Sequence, residues 1–349
     1  MESIISYDDL PRAKGESIYF RMETDPKLYL SLLSKGYRLV KNIVDAKEDT
    51  IYVTGRRQDF ECKTLGEYIT KVDTKIQEGL AKNNIVKPKE VKFNLMDLFH
   101  YEYKLPFVLK NENQNGGREK FLIKTEEDYE NLLNACEFLI NKNIKYRLDV
   151  ENADMKYRID YNQYLNVNFM VQEYIETPSE YNTTVRLLTS SSNDLLYASL
   201  KYNKPEEYTD DTTLLGYLLS EVYPLSTKSI VSNTLSGGEN LLLGESDYNS
   251  FEKRLLKEHD IKSSKFDELI DTSLKVHEQN REELGIICGF DYIYDQEKEN
   301  WFLLEYHSRP MVGDYSKRQG INYDTKEDRI TAEGRVRATA LVKTLKKIR

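Results

Sequence analysis

The stretch that most constrains this chain runs from Gly289 to Pro310, where two runs rich in aromatic and β-branched residues flank a polar connection, Asp295 to Asn300. That pattern predicts an antiparallel hairpin with a longer loop. Side chains on a strand alternate faces. Trp301, Leu303, Glu305 and His307 are therefore expected on one face of the second strand, and Phe302, Leu304 and Tyr306 on the other. On the first strand Asp291 shares a face with Ile293. Two acids and an imidazole then meet on one side of an otherwise hydrophobic sheet. A carboxylate in such a place costs several kcal/mol unless something pairs with it. A divalent cation is a suitable partner, and carboxylate oxygens suit Mg²⁺ carrying nucleotide phosphates. The plainer alternative is that Glu305 pairs with Arg309 or with a lysine at a strand end.

A chain of 349 residues is long enough for two or three modest domains. Its formal charge of −9 comes with no basic stripe, so nucleic acid is not expected as a partner. No apolar run is long enough to span a bilayer and no signal-peptide pattern opens the sequence, so no membrane is expected either. Cys62, Cys136 and Cys288 lie far apart, the last two beside apolar residues. They read as reduced, buried thiols of a cytoplasmic protein.

Along the chain, residues 1 to about 60 suggest an α/β beginning: short strands at Ser17–Arg21 and Thr50–Thr54, with a helix around Leu28–Leu33 between them. A capping box, Thr64 and Glu67, opens a helix whose apolar residues run to Leu80, and Asn83-Asn84 stops it. Leu105 to Lys110 then reads as a short buried strand ending in a lysine. A polar loop holding Gly116 and Gly117 follows, then an apolar strand at Phe121–Ile123 and a helix capped by Thr125. Glycines let backbone N–H groups approach phosphate oxygens, and a lysine supplies a point charge. A hairpin with a flexible glycine turn accounts for the same residues.

Asn168 to Glu176 starts as a strand and is broken at Thr177-Pro178, exposing backbone groups that an adenine edge could use beside Met170 and Ile175. Arg186 lies inside a β-type run and Lys201 ends another. From about Lys204 to Lys228 the chain reads as an acidic lid or insertion with a helical piece at Leu214–Leu219. Ser264–Gly285 and Thr331–Ile348 read as helices, with His277 a core residue of the first.

Taken in order, a strand-ending Lys110 before a glycine loop, the strand Val171-Gln172-Glu173-Tyr174-Ile175, Arg186, Asn233 with Gly237-Gly238, Asp291, and Glu305 with a ligand-type residue two positions on resemble the ATP-grasp superfamily. The resemblance covers roughly residues 85 to 345. It implies an α+β fold, with two lobes holding ATP between antiparallel sheets. The division it suggests is a small N-terminal α/β lobe at 1–84, a small lobe with the glycine loop at 85–175, and a large lobe with the metal site at 176–349.

The resemblance also assigns roles. Lys110 would contact the α and β phosphates, with Gly116 and Gly117 in the loop closing over them. Glu173, Tyr174 and Ile175 would hold adenine, and Glu180 the ribose. Arg186 and Lys201 would face the γ-phosphate or an acyl phosphate, while Asn233 and Gly238 would line the acceptor side. Asp291, Glu305 and His307 would bind Mg²⁺, with His307 standing where the family pattern has asparagine. The implied activity is an ADP-forming ligase that joins a small-molecule or peptide carboxylate to an amine, and the family also allows a homodimer. Nucleotide binding without ligase chemistry, or phosphotransfer on the same fold, are the alternatives.

Overall fold

The computed structural model describes residues 7–19, 25–41, 45–47, 50–53, 74–94, 97–100, 103–111, 119–141, 146–148, 157–159, 168–177, 182–203, 213–227, 230, 239–243, 261–308, 310 and 325–348. Strands β1 (Ser17–Tyr19), β2 (Arg38–Val40) and β3 (Ile51–Tyr52) form a parallel sheet in the order β2-β1-β3. Helix α1 (Pro26–Ser34) crosses between β1 and β2. Asp25 caps it, accepting from Lys27 N–H at 2.8 Å, and Pro26 suits the first turn because its missing N–H has no helical partner there. Helix α2 (74–81) buries Ile76 and Leu80 and stops where Asn84 turns left-handed at φ 61°.

The next strands are β4 (Glu90–Asn94), β5 (Phe107–Asn111) and β6 (Lys120–Ile123), followed by α3 (Glu126–Asn141). Thr125 and Asp128 cap α3 reciprocally: Asp128 N–H donates to Thr125 Oγ1 at 3.1 Å, and Thr125 N–H donates to Asp128 Oδ2 at 3.0 Å. A short ribbon, β7 (Tyr146–Leu148) with β8 (Tyr157–Ile159), precedes β9 (Asn168–Glu173). Strand β9 completes an antiparallel sheet of order β4-β9-β5-β6. Phe107, Leu109, Phe121, Ile123 and Phe169 pack from that sheet against Leu132, Cys136 and Leu139 of α3.

Strands β10 (Asn182–Ser190) and β11 (Asp194–Asn203) come next, then α4 (Leu214–Tyr217), which runs into a π turn at Leu218–Val222. Leu214, Leu215, Leu218 and Leu219 are buried in the core beneath the four-stranded sheet. The helical piece expected at Leu214–Leu219 is present, but its leucines belong to the core and not to a lid. Four leucines are too much apolar surface to leave on a mobile flap.

After β12 (Glu239–Leu243), α5 (Ser263–Gln279) and α6 (Arg281–Leu284) replace the single helix expected over 264–285, and Gly285 ends α6 at φ 79°. Strands β13 (Ile287–Asp295) and β14 (Asn300–His307) are the hairpin expected from the sequence. They complete a five-stranded antiparallel sheet of order β12-β11-β10-β13-β14. Helix α7 (Lys326–Ile348) closes the described chain. Its Gly334 lies so close to the α1 cap that an added Cβ would fall 1.5 Å from Asp25 Oδ2. The N-terminal elements share one core with α7 and with Leu188, Tyr197 and Ile287 of the five-stranded sheet.

The α+β class expected from the ordered motifs is what the structure contains. The strict face alternation expected for β14 is corrected. Asp291 pairs with Glu305, but its neighbour Tyr292 pairs with Leu303, so the register skips Leu304. This β-bulge shifts the phase of the strand by one residue. Trp301 and Leu303 face the core with Tyr292 and Tyr294, whereas Glu305 lies on the other face beside Asp291. Strict alternation from Trp301 would have buried Glu305 in that core. Cys136 and Cys288 are buried thiols outside any disulfide, as expected, and Cys62 lies outside the described residues. Among the described residues no helix is long and apolar enough to cross a membrane.

His277 of α5 is fully buried between Thr189 Oγ1, 2.8 Å from Nδ1, and Gly285 O, 2.8 Å from Nε2. Burial drives its pKa down to about 4, against the smaller opposing pull of the Gly285 carbonyl. In the unfolded chain the imidazole protonates near its ordinary value of about 6.5. The unfolded state therefore binds the extra proton first as pH falls, and stability declines from pH 6.5 towards 4. Urea unfolding across that range should show this decline, with a loss on the order of 3 kcal/mol from this residue. The difference between wild type and His277→Gln should shrink by that amount as pH falls.

Candidate active site

The four- and five-stranded sheets bound one cleft of about 880 Å³, counting the solvent at its mouth. Its walls come from β5, β6 and β9 on one side and from β10, β11, β13 and β14 on the other. Alternation along β5 sends Phe107 and Leu109 to the α3 core and leaves Val108 and Lys110 for the cleft. Lys110 Nζ donates to Gln172 Oε1 at 2.5 Å, and Gln172 Nε2 lies 3.4 Å from Glu90 Oε2. Burial lowers the Lys110 pKa to about 8, helped by Lys120 directly across the β5–β6 ladder, while Glu305 and Glu90 pull it the other way.

On the opposite wall Arg186 and Asp291 are cross-strand neighbours on β10 and β13. The guanidinium forks onto the carboxylate: Nε donates to Oδ1 at 2.5 Å and Nη2 to Oδ2 at 2.5 Å. Burial opposes the Arg186 charge, but Asp291 outweighs it and holds the group firmly protonated. Lys201 Nζ lies 3.5 Å from Asp291 Oδ2, and its pKa is lowered chiefly by burial, with Asp291 opposing. Past the bulge, His307 Nε2 lies 3.4 Å from Glu305 Oε1 and 3.9 Å from Asp291 Oδ2. Burial pushes the Glu305 pKa up. The His307 hydrogen bond, with the charges of Lys120 and Lys110, overrides it and keeps the carboxyl well below the usual range.

One ligand atom from each of Asp291, Glu305 and His307 lies within 4.8 Å of the others. Two carboxylates fit a divalent cation beside a polyanion. The imidazole adds a nitrogen donor better suited to softer ions.

At the cleft's far end, Glu173, Tyr174 and Ile175 form the edge where β9 gives out. The Glu173 side chain is tied elsewhere: Oε1 accepts from Lys298 Nζ of the hairpin turn at 3.1 Å, and Oε2 from Lys89 N–H at 3.3 Å. Its own N–H donates to Lys89 O at 2.8 Å.

Lys110, Glu173, Tyr174, Ile175, Arg186, Lys201, Asp291 and Glu305 thus share one cleft, with His307 against Glu305. Gly116, Gly117, Glu180, Asn233 and Gly238 lie outside the described residues. Sequence reasoning passed over Lys120, Gln172, Thr183 and Thr184, which also line the cleft. Lys120 was within reach of it: pairing the strands around the glycine loop sets this residue opposite Lys110.

No protein-family model and no curated protein sequence matches the chain. Among solved structures it is similar to an L-amino acid ligase from Bacillus licheniformis, at 10% identity and a TM-score of 0.35, over 93% of this chain and 75% of that one. It is also similar to the ATP-grasp ligase PsnB complexed with a minimal precursor, at 11% identity and a TM-score of 0.36, over 88% of this chain and 75% of that one. Likenesses of this size leave the chemistry of the cleft to its own residues.

Two substitutions test the electrostatics described above. Arg186→Met leaves Asp291, whose side chain is 8% exposed, with Lys201 as its remaining close cation among the described residues. Breaking such a pair should cost on the order of 3 kcal/mol in urea unfolding. Lys110→Met should act in the opposite direction. Wild type carries the full penalty of a buried ammonium below about pH 8, and loses it only as pH rises towards the unfolded value of about 10.5. The variant should therefore be more stable at pH 7, by up to about 3 kcal/mol. Its advantage should narrow by pH 9.5.

Proposed function

We propose that this chain is an ATP-dependent, ADP-forming ligase that activates a carboxylate as an acyl phosphate and joins it to an amine. The observation that carries the reading is a single cleft in which Lys110 and Lys120 of one sheet face Arg186, Lys201, Asp291 and Glu305 of the other. Four cations and two acids gathered in a partly dry cleft suit a triphosphate with its cation. Preorganised charges of this kind stabilise phosphoryl transfer.

In this reading Lys110 and Lys120 bind the α and β phosphates, and the backbone edge from Glu173 to Ile175 holds adenine. Glu173 contributes through its carbonyl, since its N–H and its carboxylate are engaged. Gly116 and Gly117 close over the phosphates, and Glu180 reaches the ribose. Arg186 and Lys201 neutralise charge on the γ-phosphate as it moves to the acceptor carboxylate. Asn233 and Gly238 line the acceptor side. Asp291, Glu305 and His307 would hold the divalent cation, which supplies charge neutralisation for the phosphates when bound. The carboxylate oxygen attacks the γ-phosphorus and ADP leaves; the amine then attacks the acyl carbon and phosphate leaves. The acid and the amine are small molecules or peptides, and a cytoplasmic, homodimeric enzyme is consistent with this chemistry. The domain boundaries suggested by the sequence, 1–84, 85–175 and 176–349, go with the same proposal.

The test is incubation of the chain with ATP, a divalent cation and pools of carboxylates and amines, with ADP release and condensed product read by mass spectrometry. Lys110→Met and Glu305→Ala should each abolish ADP release. Because Lys110→Met is expected to be the more stable protein, its inactivity cannot be put down to unfolding. Undiminished turnover in either variant would remove the assignment. ATP binding with no ADP release across the whole screen would leave a nucleotide-binding protein without ligase chemistry.

A further inference from the structure

We infer that the Asp291–Glu305–His307 cluster favours a first-row transition dication over Mg²⁺, with His307 Nε2 bound directly to the ion; Mn²⁺ serves as the probe. This rests on the cation role proposed above for the same cluster, and concerns which ion the donors favour.

Three features point the same way. The first is position. His307 sits opposite Gly289 in the β13–β14 ladder, one alternation beyond the Asp291–Glu305 pair and on the same face. Its Nε2 lies 3.4 Å from Glu305 Oε1 and 3.9 Å from Asp291 Oδ2. Adjacent donors around an ion with bonds near 2.1 Å are about 3 Å apart, so small side-chain shifts close the set.

The second feature is charge. Both oxygens of Asp291 already accept from Arg186, and Lys201 stands 3.5 Å from Oδ2. A hard ion such as Mg²⁺ draws its affinity from anionic oxygen, and here much of one carboxylate's charge is answered by protein cations. Each carboxylate oxygen still has a second lone pair for a metal.

The third feature is donor chemistry. Imidazole nitrogen favours first-row transition ions, and Mg²⁺ favours an all-oxygen shell in which it keeps several waters. Replacing an oxygen donor by nitrogen raises the affinity for Mn²⁺ relative to Mg²⁺. Among the described residues this is the one group of three such side chains whose donor atoms converge this closely.

Mn²⁺ is added to the full chain, alone and then with a non-hydrolysable ATP analogue, and binding is followed by loss of the free-ion electron paramagnetic resonance signal. Mg²⁺ is titrated in competition. Pulsed measurements on the bound ion look for coupling to a directly ligated ¹⁴N. The expected result is binding of Mn²⁺ at least about tenfold tighter than Mg²⁺, together with nitrogen coupling in the unmutated chain. His307→Asn should lose the coupling and bring the two affinities to within about threefold. If Mn²⁺ binds in a Glu305-dependent way without nitrogen coupling, and Mg²⁺ competes equally, the inference falls and the proposed ligase stands. If neither ion binds with or without nucleotide, both fall. The coupling is read in the wild-type chain, so a poorly folded variant does not blunt the test.

Discussion

A single unpaired residue in β14 lets one strand serve two incompatible environments. Up to Leu303 the strand gives its large side chains to the core shared with α5, where Trp301 also donates its indole N–H to Lys265 O at 3.0 Å. After the skipped Leu304 the core face carries Tyr306 where strict alternation would have put Glu305, and the acid goes to the cleft beside Asp291. Without the bulge, either the tryptophan or the carboxylate would be on the wrong side. A charge buried beneath the sheet, or a large aromatic in a polar cleft, would each cost several kcal/mol. The bulge therefore positions both the hydrophobic core and the chemistry of the last strand.

The cleft that results is electrostatically unfinished on one wall and settled on the other. Arg186 and Asp291 satisfy each other through a two-pronged contact between adjacent strands. Lys110 and Lys120 face each other across a ladder, an arrangement that destabilises a sheet when nothing lies between the charges. Gln172 Oε1 accepts a hydrogen bond from Lys110, and Glu305 and Glu90 give partial compensation. A polyanion arriving between the lysines would relieve that repulsion. A site that is poor for stability is thus well arranged for binding.

Much of this was legible before the fold was known, because it rests on local rules. The hairpin at 289–310, the cap at Thr125, the asparagine stop after α2 and the buried character of His277 all follow from short-range periodicity and capping chemistry. Strands β2, β4, β12, β7 and β8 have no counterpart in the sequence reading, because runs of three to five residues are too short to show alternation. The helical piece at 214–219 is legible in the sequence, but its place in the core is not, because flanking acidic residues suggest a lid or insertion and the partners of its four leucines lie on β5, β6 and α3.

The sequence by itself determined which residue types could handle phosphate and cation, and the order in which they occur. It fixed the element types wherever capping and alternation are strong. Only the tertiary structure decided that Lys110 and Glu305 line the same cleft, that Arg186 is committed to Asp291, and that Glu305 parts company with Trp301 and Leu303. The physical reason is range. Capping and alternation act within a few residues, whereas Lys110 meets Gln172 across 62 positions and Arg186 meets Asp291 across 105. A one-residue slip in register is invisible until both strands are paired.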